Sequence, residues 1–290
     1  MLIETTLSGV ILGGMYALVA LGLTLQYGVA RIMNLSYGEL LIAAAFAALW
    51  FSSGLMVNPL IGLLVVPPAA FAVSYVIYRV LLAPLVRRAA NRDALEVDSI
   101  LATFGLLFVI QGVMLAAFGG AYFSYSFLAV PVQIAGVTVA ANRLLALVLA
   151  LAIGLGLYLA LTRTRLGTAV RAVAVDPTAA QLVAIDVRAV AAFAFALGGA
   201  LTAAAGVLVS MFLTFNANLG VVFTLKALVV VIMGGVGNLL GALIAGLILG
   251  LVENYVAVLV DPGLTLAATY AIFLIVLLLR PQGILGRANR

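Results

Sequence analysis

RTRLGTAVRAVAVDPTAAQLVAIDVR, residues 163–188, is the longest run beyond the first hundred residues that its charges keep out of a bilayer. Arg163, Arg165, Arg171 and Arg188 are spread through it with Asp176 and Asp186, and apolar runs flank it on both sides. Each such charge in hydrocarbon costs several kcal/mol, so the run lies in water between membrane-embedded neighbours. Asp176-Pro177 divides it, because proline disfavours helix in the residue before it and opens a new helix readily. Two short helices are expected, roughly 167–175 and 177–186, with Asp176 capping the second. Leu166, Val170 and Val173 give the first an apolar stripe, as Leu182 and Ile185 do the second. Two readings fit this pattern: a surface offered to a partner, or a solvated connector lying on the lipid headgroups.

The rest of the chain is the opposite in character. Of 290 residues, 67% are hydrophobic and 8% charged, with mean hydropathy +1.35. Soluble domains carry roughly a quarter charged residues, so this is an integral membrane protein. The net charge of +5 comes from arginines in short loops, which read as topology signals rather than a nucleic-acid surface. Cysteine is absent, which excludes disulfides and thiolate chemistry, and the absence of histidine removes the commonest metal ligand and acid–base catalyst. With nine acids, most of them in loops, a membrane enzyme has few groups to work with, and no metal site is expected. MLIETTLSG at the start has no basic region or small-residue cleavage site, so no cleaved signal peptide is expected.

Apolar segments run over about 5–27, 38–53, 59–82, 97–118, 142–162, 188–213, 221–234, 238–260 and 263–280. A full span takes roughly 20 apolar residues, so 38–53 and 221–234 are short. The expected fold is one all-α polytopic membrane domain over 1–290, with about 8–10 transmembrane helices, some short or broken. Placing the loops around Arg31, 79–98 and 163–188 and the tail from Arg280 on one face collects every basic residue except Arg143 and Lys226. The positive-inside rule makes that face cytoplasmic, with the N-terminus outside, the C-terminus inside and an odd number of crossings. Gly9, Gly13 and Gly14 suit close helix contact, and Pro67-Pro68 should kink the third segment. The external loop 119–141 carries Tyr122, Phe123, Tyr125 and Phe127, suited to an aromatic belt. Within it VPVQIAGVTVA (130–140) reads as a β-hairpin turning at Ala135-Gly136. RPQGILGR simply ends the last span.

Both short segments are interrupted by Gly and Asn, in MNLSYGEL (33–40) and IMGGVGNLLGALIAG (232–246). Irregular backbone at membrane depth survives only inside protein or along a wet cavity, and paired interruptions point to a transport path. The candidate path residues are Asn34, Ser36, Tyr37, Glu39, Lys226 and Asn238. The asparagines sit at the breaks, as path dipoles or helix caps. Glu39 suits a helix N-terminus and is alternatively a gate. Lys226 either snorkels to the outer interface or pairs with an acid or a substrate carboxylate. Glu253 faces a cavity or, by preference, the outer interface beside Asn254 and Tyr255. The later glycines, including Gly246-xxx-Gly250, read as packing positions.

MNLSYGEL, RTRLGTAVRAVAVDPTAAQLVAI (163–185), LKALVVVIMGGVGNLLGALIAGLILGLVE (225–253) and RPQGILG (280–286) together resemble the bacterial branched-chain amino acid permeases. These are membrane subunits of ABC importers, in a family that also holds urea, sugar and nucleoside permeases. Tyr37 departs from the pattern, since relatives often carry histidine there. The resemblance implies a bacterial inner-membrane permease beside a second, related permease. It implies two cytoplasmic ATPase subunits and a periplasmic substrate-binding protein as further partners. It also makes the 163–188 loop the coupling region, with Gly167, Arg171, Asp176 and Ala180 on its motif and Arg165 and Ile185 beside them. ATP and Mg would be used by the partners, this chain binding no cofactor. The residues agree: a P-loop needs Gly-Lys-Ser/Thr, and the only lysine, Lys226, lies between Leu225 and Ala227. The function expected is passage of leucine, isoleucine or valine-type amino acids. A urea or nucleoside permease and an ion-coupled transporter using Glu39 and Glu253 are the alternatives.

Overall fold

The computed structural model describes residues 2–286 except Leu55, Val57, Ala90, Ser126 and Ala135. In chain order the helices are α1 (Leu2–Leu25), α2 (Tyr37–Leu49), α3 (Pro59–Ile77), α4 (Ala83–Arg88), α5 (Arg92–Phe118) and α6 (Ala141–Arg163). They continue with α7 (Arg165–Val175), α8 (Pro177–Leu182), α9 (Val187–Ser210), α10 (Gly220–Gly234), α11 (Leu239–Leu259) and α12 (Thr265–Leu279). Wide helical turns extend three of them, giving the continuous stretches Leu2–Ala30, Tyr37–Gly54 and Pro59–Arg88. Eight stretches are thereby long and apolar enough to cross a membrane. The segment expected at 38–53 is one of them, because the turn Trp50–Gly54 brings it to 18 residues. The chain stays helical through Pro67 and Pro68.

At 15 residues α10 is short, about 22 Å against roughly 30 Å of hydrocarbon. Loop contacts draw the non-helical stretch before it into the bundle. Phe123 and Phe215 exchange backbone hydrogen bonds of 2.8 and 3.0 Å, which ties the chain after α9 to the loop after α5. Gln111 of α5 donates to Asn218 at 3.1 Å, well down the same helix. The chain therefore re-enters the bundle before α10 begins. At the other end, Ile284 N–H donates to the Met233 carbonyl and Leu285 N–H to that of Gly234. The tail thus docks on α10 instead of merely ending the last span. The result is a bundle of eight candidate spans with the shorter α10 packed among them. One face carries the β-hairpin; the other gathers most of the arginines.

α1 and α9 are central: 72% and 83% of their apolar windows are buried, against 11% for α5 and 6% for α12 in the outer layer. Small residues set this arrangement. α1 and α11 run antiparallel so closely that a Cβ at Gly13 would lie 2.8 Å from Leu247 Cα, and one at Gly250 would meet the Gly13 backbone. Both were expected as packing glycines, and they pack on each other. Asn254 Nδ2 closes the far end of the pair on the Thr5 carbonyl at 2.6 Å.

On the hairpin face, β1 (Pro131–Ile134) and β2 (Val137–Ala140) pair antiparallel, with Pro131 opposite Ala140. Gly136 takes φ +80° in the turn; Ala135, expected there too, lies outside the described residues. The aromatic residues of the external loop do not all form a belt. Tyr122 is exposed, but Phe123 turns inward onto Phe46, which also stacks on Phe118 at 4.1 Å and meets Phe215 edge-on.

Candidate translocation site and coupling helices

Between α1 and α2 the chain leaves the helix at Arg31, which adopts a left-handed conformation with φ 55°. Residues 31–36 then climb non-helically into the protein, and the backbone groups this frees must find partners. Side chains of distant helices supply them. Met33 N–H donates to Ser99 Oγ, and Leu35 N–H to Thr103 Oγ1 at 3.1 Å. Thr103 donates back to the Met33 carbonyl at 3.0 Å, and Thr224 of α10 to the Leu35 carbonyl at 3.2 Å. Gly38 N–H, in the first turn of α2, donates to Thr224 Oγ1 at 2.8 Å.

The expected path residues Asn34, Ser36, Tyr37 and Glu39 are all here and all buried. Asn34 donates to Gln26 Oε1 and accepts from both the backbone and the hydroxyl of Ser36, while Gln26 donates to the Phe195 carbonyl at 2.9 Å. Tyr37 donates to the Val19 carbonyl at 2.7 Å. Three of the four are therefore fully engaged inside the bundle. Glu39 is the exception. It is 0% exposed, and neither carboxylate oxygen has a hydrogen-bond partner among the described residues. It occupies the first turn of α2 and abuts Gly220, the first residue of α10, where a Cβ would collide with its carboxylate. Two helix N-termini, each a positive dipole end, thus meet at one buried carboxylate.

Lys226 is not a snorkelling residue, nor does Glu253 sit free at the outer interface. They form a salt bridge between α10 and α11, with side-chain exposures of 12% and 10%. Lys226 Nζ also donates to Tyr16 of α1 at 2.7 Å and lies 4.8 Å from that ring's centre. Helix packing turned the two charges toward each other, and their attraction offsets part of the desolvation each would suffer alone. Glu253 and Tyr16 were missing from the expected site. The signal available was the principle that intramembrane charges pair.

Asn238 is not brought to this cluster. It caps α11 through Gly241 N–H and donates to the Leu285 carbonyl at 2.7 Å, at the arginine-rich face. The second interruption therefore lies at a surface, because α10 starts deep and ends there. Gly235 and Gly237 take φ values of +100° and +78° in its turn.

On that same face α7 and α8 form the helix pair expected around Asp176, which accepts from Thr178 and Ala179 N–H groups at 2.8 and 3.1 Å. α8 stops at Leu182 rather than 186, as Ala184 turns left-handed and Ile185 N–H folds back to the Ala180 carbonyl. Gly167, Val170, Val173 and Ala180 face inward, and a Cβ at Gly167 would collide with the Leu161 backbone. Leu166 and Leu182, expected on the buried stripes, point out instead: with Val175 and Val183 they are 63–85% exposed. Arg165 and Arg171 are exposed as well, Arg171 reaching Thr168 Oγ1, while Ile185 is half-buried. α7 is joined to the broken stretch, since Arg31 donates to the Ala174 carbonyl at 3.4 Å.

A groove of about 500 Å³ between α1, α6 and α11 is apolar and holds none of these groups. Among the described residues no three His, Cys, Asp or Glu side chains come together as a metal site.

Residues 5–279 match the family model described as branched-chain amino acid transport system / permease component. The chain is 30% identical over 306 residues to the high-affinity branched-chain amino acid transport system permease protein BraD of Pseudomonas aeruginosa, covering 98% of this chain and 96% of that one. It is 26% identical over 303 residues to the corresponding LivH of Escherichia coli, and 28% identical to a probable LivH of Methanocaldococcus jannaschii. In fold it resembles a chain of PsaBC from Streptococcus pneumoniae solved in complex with Fab, with TM-score 0.53 at 12% identity, over 97% of this chain and 92% of that one. The match over residues 5–279 and the 30% identity across nearly the whole of both chains make this chain a member of the branched-chain amino acid transport system permease family.

Proposed function

We propose that this permease carries leucine, isoleucine or valine-type amino acids inward, paired with a second permease, on two ATPase subunits fed by an external binding protein. The permease is the non-catalytic component of its transport system, and ATP is used by a separate ATPase. The observation that carries the reading is the α7–α8 surface. Leu166, Val175, Leu182 and Val183 stand exposed on a segment whose arginines keep it in water, and no part of the described chain covers them. Exposed apolar patches on water-facing surfaces mark docking sites, and a motor subunit is the partner such a system requires. The arginine-rich face is then cytoplasmic, the N-terminus external and the C-terminus internal.

In this mechanism the ATPases, on closing, displace α7. Arg31 passes the movement to residues 31–36, whose hydroxyl ladder can re-pair as α2 and α10 shift. Glu39 is exposed where the two half-buried helices part, and Asn34, Ser36 and Tyr37 flank it. Their names give the full-length relatives as support for the substrate class. The test is uptake by the four-component complex in proteoliposomes. Leucine uptake that requires ATP and the binding protein, and that excess valine but neither urea nor nucleosides suppresses, is expected. Uptake by the purified chain alone, or uptake driven by an ion gradient without ATP, would refute the reading.

A further inference from the structure

Where α3 and α4 approach the start of α9, Tyr78, Arg79, Val86, Arg87, Asp186 and Arg188 surround a cavity of about 250 Å³. That volume corresponds to on the order of eight water molecules at ~30 Å³ each. Three arginines and one aspartate line it, and Asp186 Oδ1 already accepts the Arg188 and Ala189 N–H groups, both at 3.0 Å. None of the three arginines has a carboxylate within 4.0 Å among the described residues. Arg79 is held in place rather than free, since Tyr75 Oη accepts from its Nε at 3.1 Å and its Nη2 at 2.8 Å.

We propose that this pocket binds the phosphate-bearing headgroup of an anionic phospholipid. The chemistry recognised is a phosphate monoanion, and guanidinium forks match its oxygens. The lipid, rather than free phosphate or an acidic protein segment, is favoured by what adjoins the pocket. Val73, Val76 and Val80 are 51–72% exposed at helical spacing on the continuous stretch Pro59–Arg88, which also carries Arg79. This outward strip belongs to a helix stretch whose apolar window is only 17% buried, so it meets hydrocarbon. An acyl chain lying along the valines would deliver its headgroup to the arginines. Basic pockets at the ends of membrane helices hold anionic headgroups in this way. The inference is independent of which solute is transported.

The experiment is native mass spectrometry of the intact complex after delipidation, with phosphatidylglycerol or phosphatidylcholine added back. Wild type is expected to retain phosphatidylglycerol preferentially, and the Arg79→Gln/Arg188→Gln variant to retain on the order of tenfold less. Arg79→Lys/Arg188→Lys keeps the charge and should retain most of it. A melting temperature for each variant separates loss of the site from loss of the fold; if the glutamine pair unfolds, the single Arg87→Gln is expected to show the same direction of loss. Equal retention of both lipids, or unchanged retention in the glutamine variants, would overturn the proposal. Displacement by millimolar inorganic phosphate would reassign the site to a free anion. Loss of the ATPase subunits with lipid retention intact would reassign it to protein docking.

Discussion

Replacing Lys226 with Met leaves Glu253 without its counter-ion inside the bundle. Removing one partner of a buried pair costs about 3–5 kcal/mol, because the remaining charge keeps its desolvation penalty and loses its compensation. Both side chains here retain about a tenth of their surface, 12% and 10%, so the lower end, roughly 3 kcal/mol, is expected. Glu253→Leu should be less damaging, since Lys226 keeps Tyr16 as hydrogen-bond acceptor and aromatic platform. The double variant Lys226→Met/Glu253→Leu removes both charges, together with Glu253 Oε2, which has no hydrogen-bond partner among the described residues. Its stability should return to within about 1 kcal/mol of the wild type, since apolar replacement of a buried pair is often neutral or better. Reversible unfolding of the purified permease in detergent, run as a double-mutant cycle, gives the coupling energy directly. About 2 kcal/mol or more is expected for residues in contact. Additive effects would refute the pairing. Leucine uptake by the double variant answers a second question: retained uptake makes the pair a structural clamp across α1, α10 and α11, whereas a stable variant without uptake would show that Lys226 meets the substrate.

Arg171→Glu should leave the protein in the membrane with its ATPases bound but uncouple hydrolysis from uptake; normal uptake would remove α7 from the coupling role. Glu39→Gln relieves the burial of an unpartnered carboxylate, so a higher melting temperature is expected together with uptake reduced about tenfold or more, the trade of function for stability seen at strained sites. A lower melting temperature would mean that the carboxylate is compensated after all. Gly220→Ala drives a methyl into that carboxylate and should destabilise by about 1–3 kcal/mol. Adding Glu39→Ala should recover most of the loss, and failure to recover would place the strain elsewhere.

The α7–α8 loop was legible because its signals are local. The break at Asp176-Pro177 and the N-cap follow from neighbouring residues, and both occur as read. The orientation of the loop's apolar side chains was legible only in part: Val170 and Val173 face inward as read, but Leu166 and Leu182 do not. Leu166 and Gly167 are adjacent, yet the chain turns Gly167 inward because only a glycine clears the Leu161 backbone, which forces Leu166 out. The same holds at the candidate path. The interruption at MNLSYGEL was evident from Gly and Asn in an apolar run, but its hydrogen-bond acceptors and donors, Thr103 and Thr224, lie 68 and 189 residues from Leu35.

By itself, then, the sequence determined that this is an all-helical membrane protein of about eight to ten spans without a P-loop, with a charged helix pair between apolar runs and a break before its second helix. Hydropathy, charge and turn chemistry act over a few residues, and the bilayer converts them into topology. Only the tertiary structure decided that Lys226 answers Glu253, that the tail closes on α10, that Asn238 stays at a surface, and that Glu39 is buried between two helix starts without a hydrogen-bond partner among the described residues. Those outcomes depend on how far glycine and alanine let helices distant in sequence approach, and that distance is set by packing over the whole bundle.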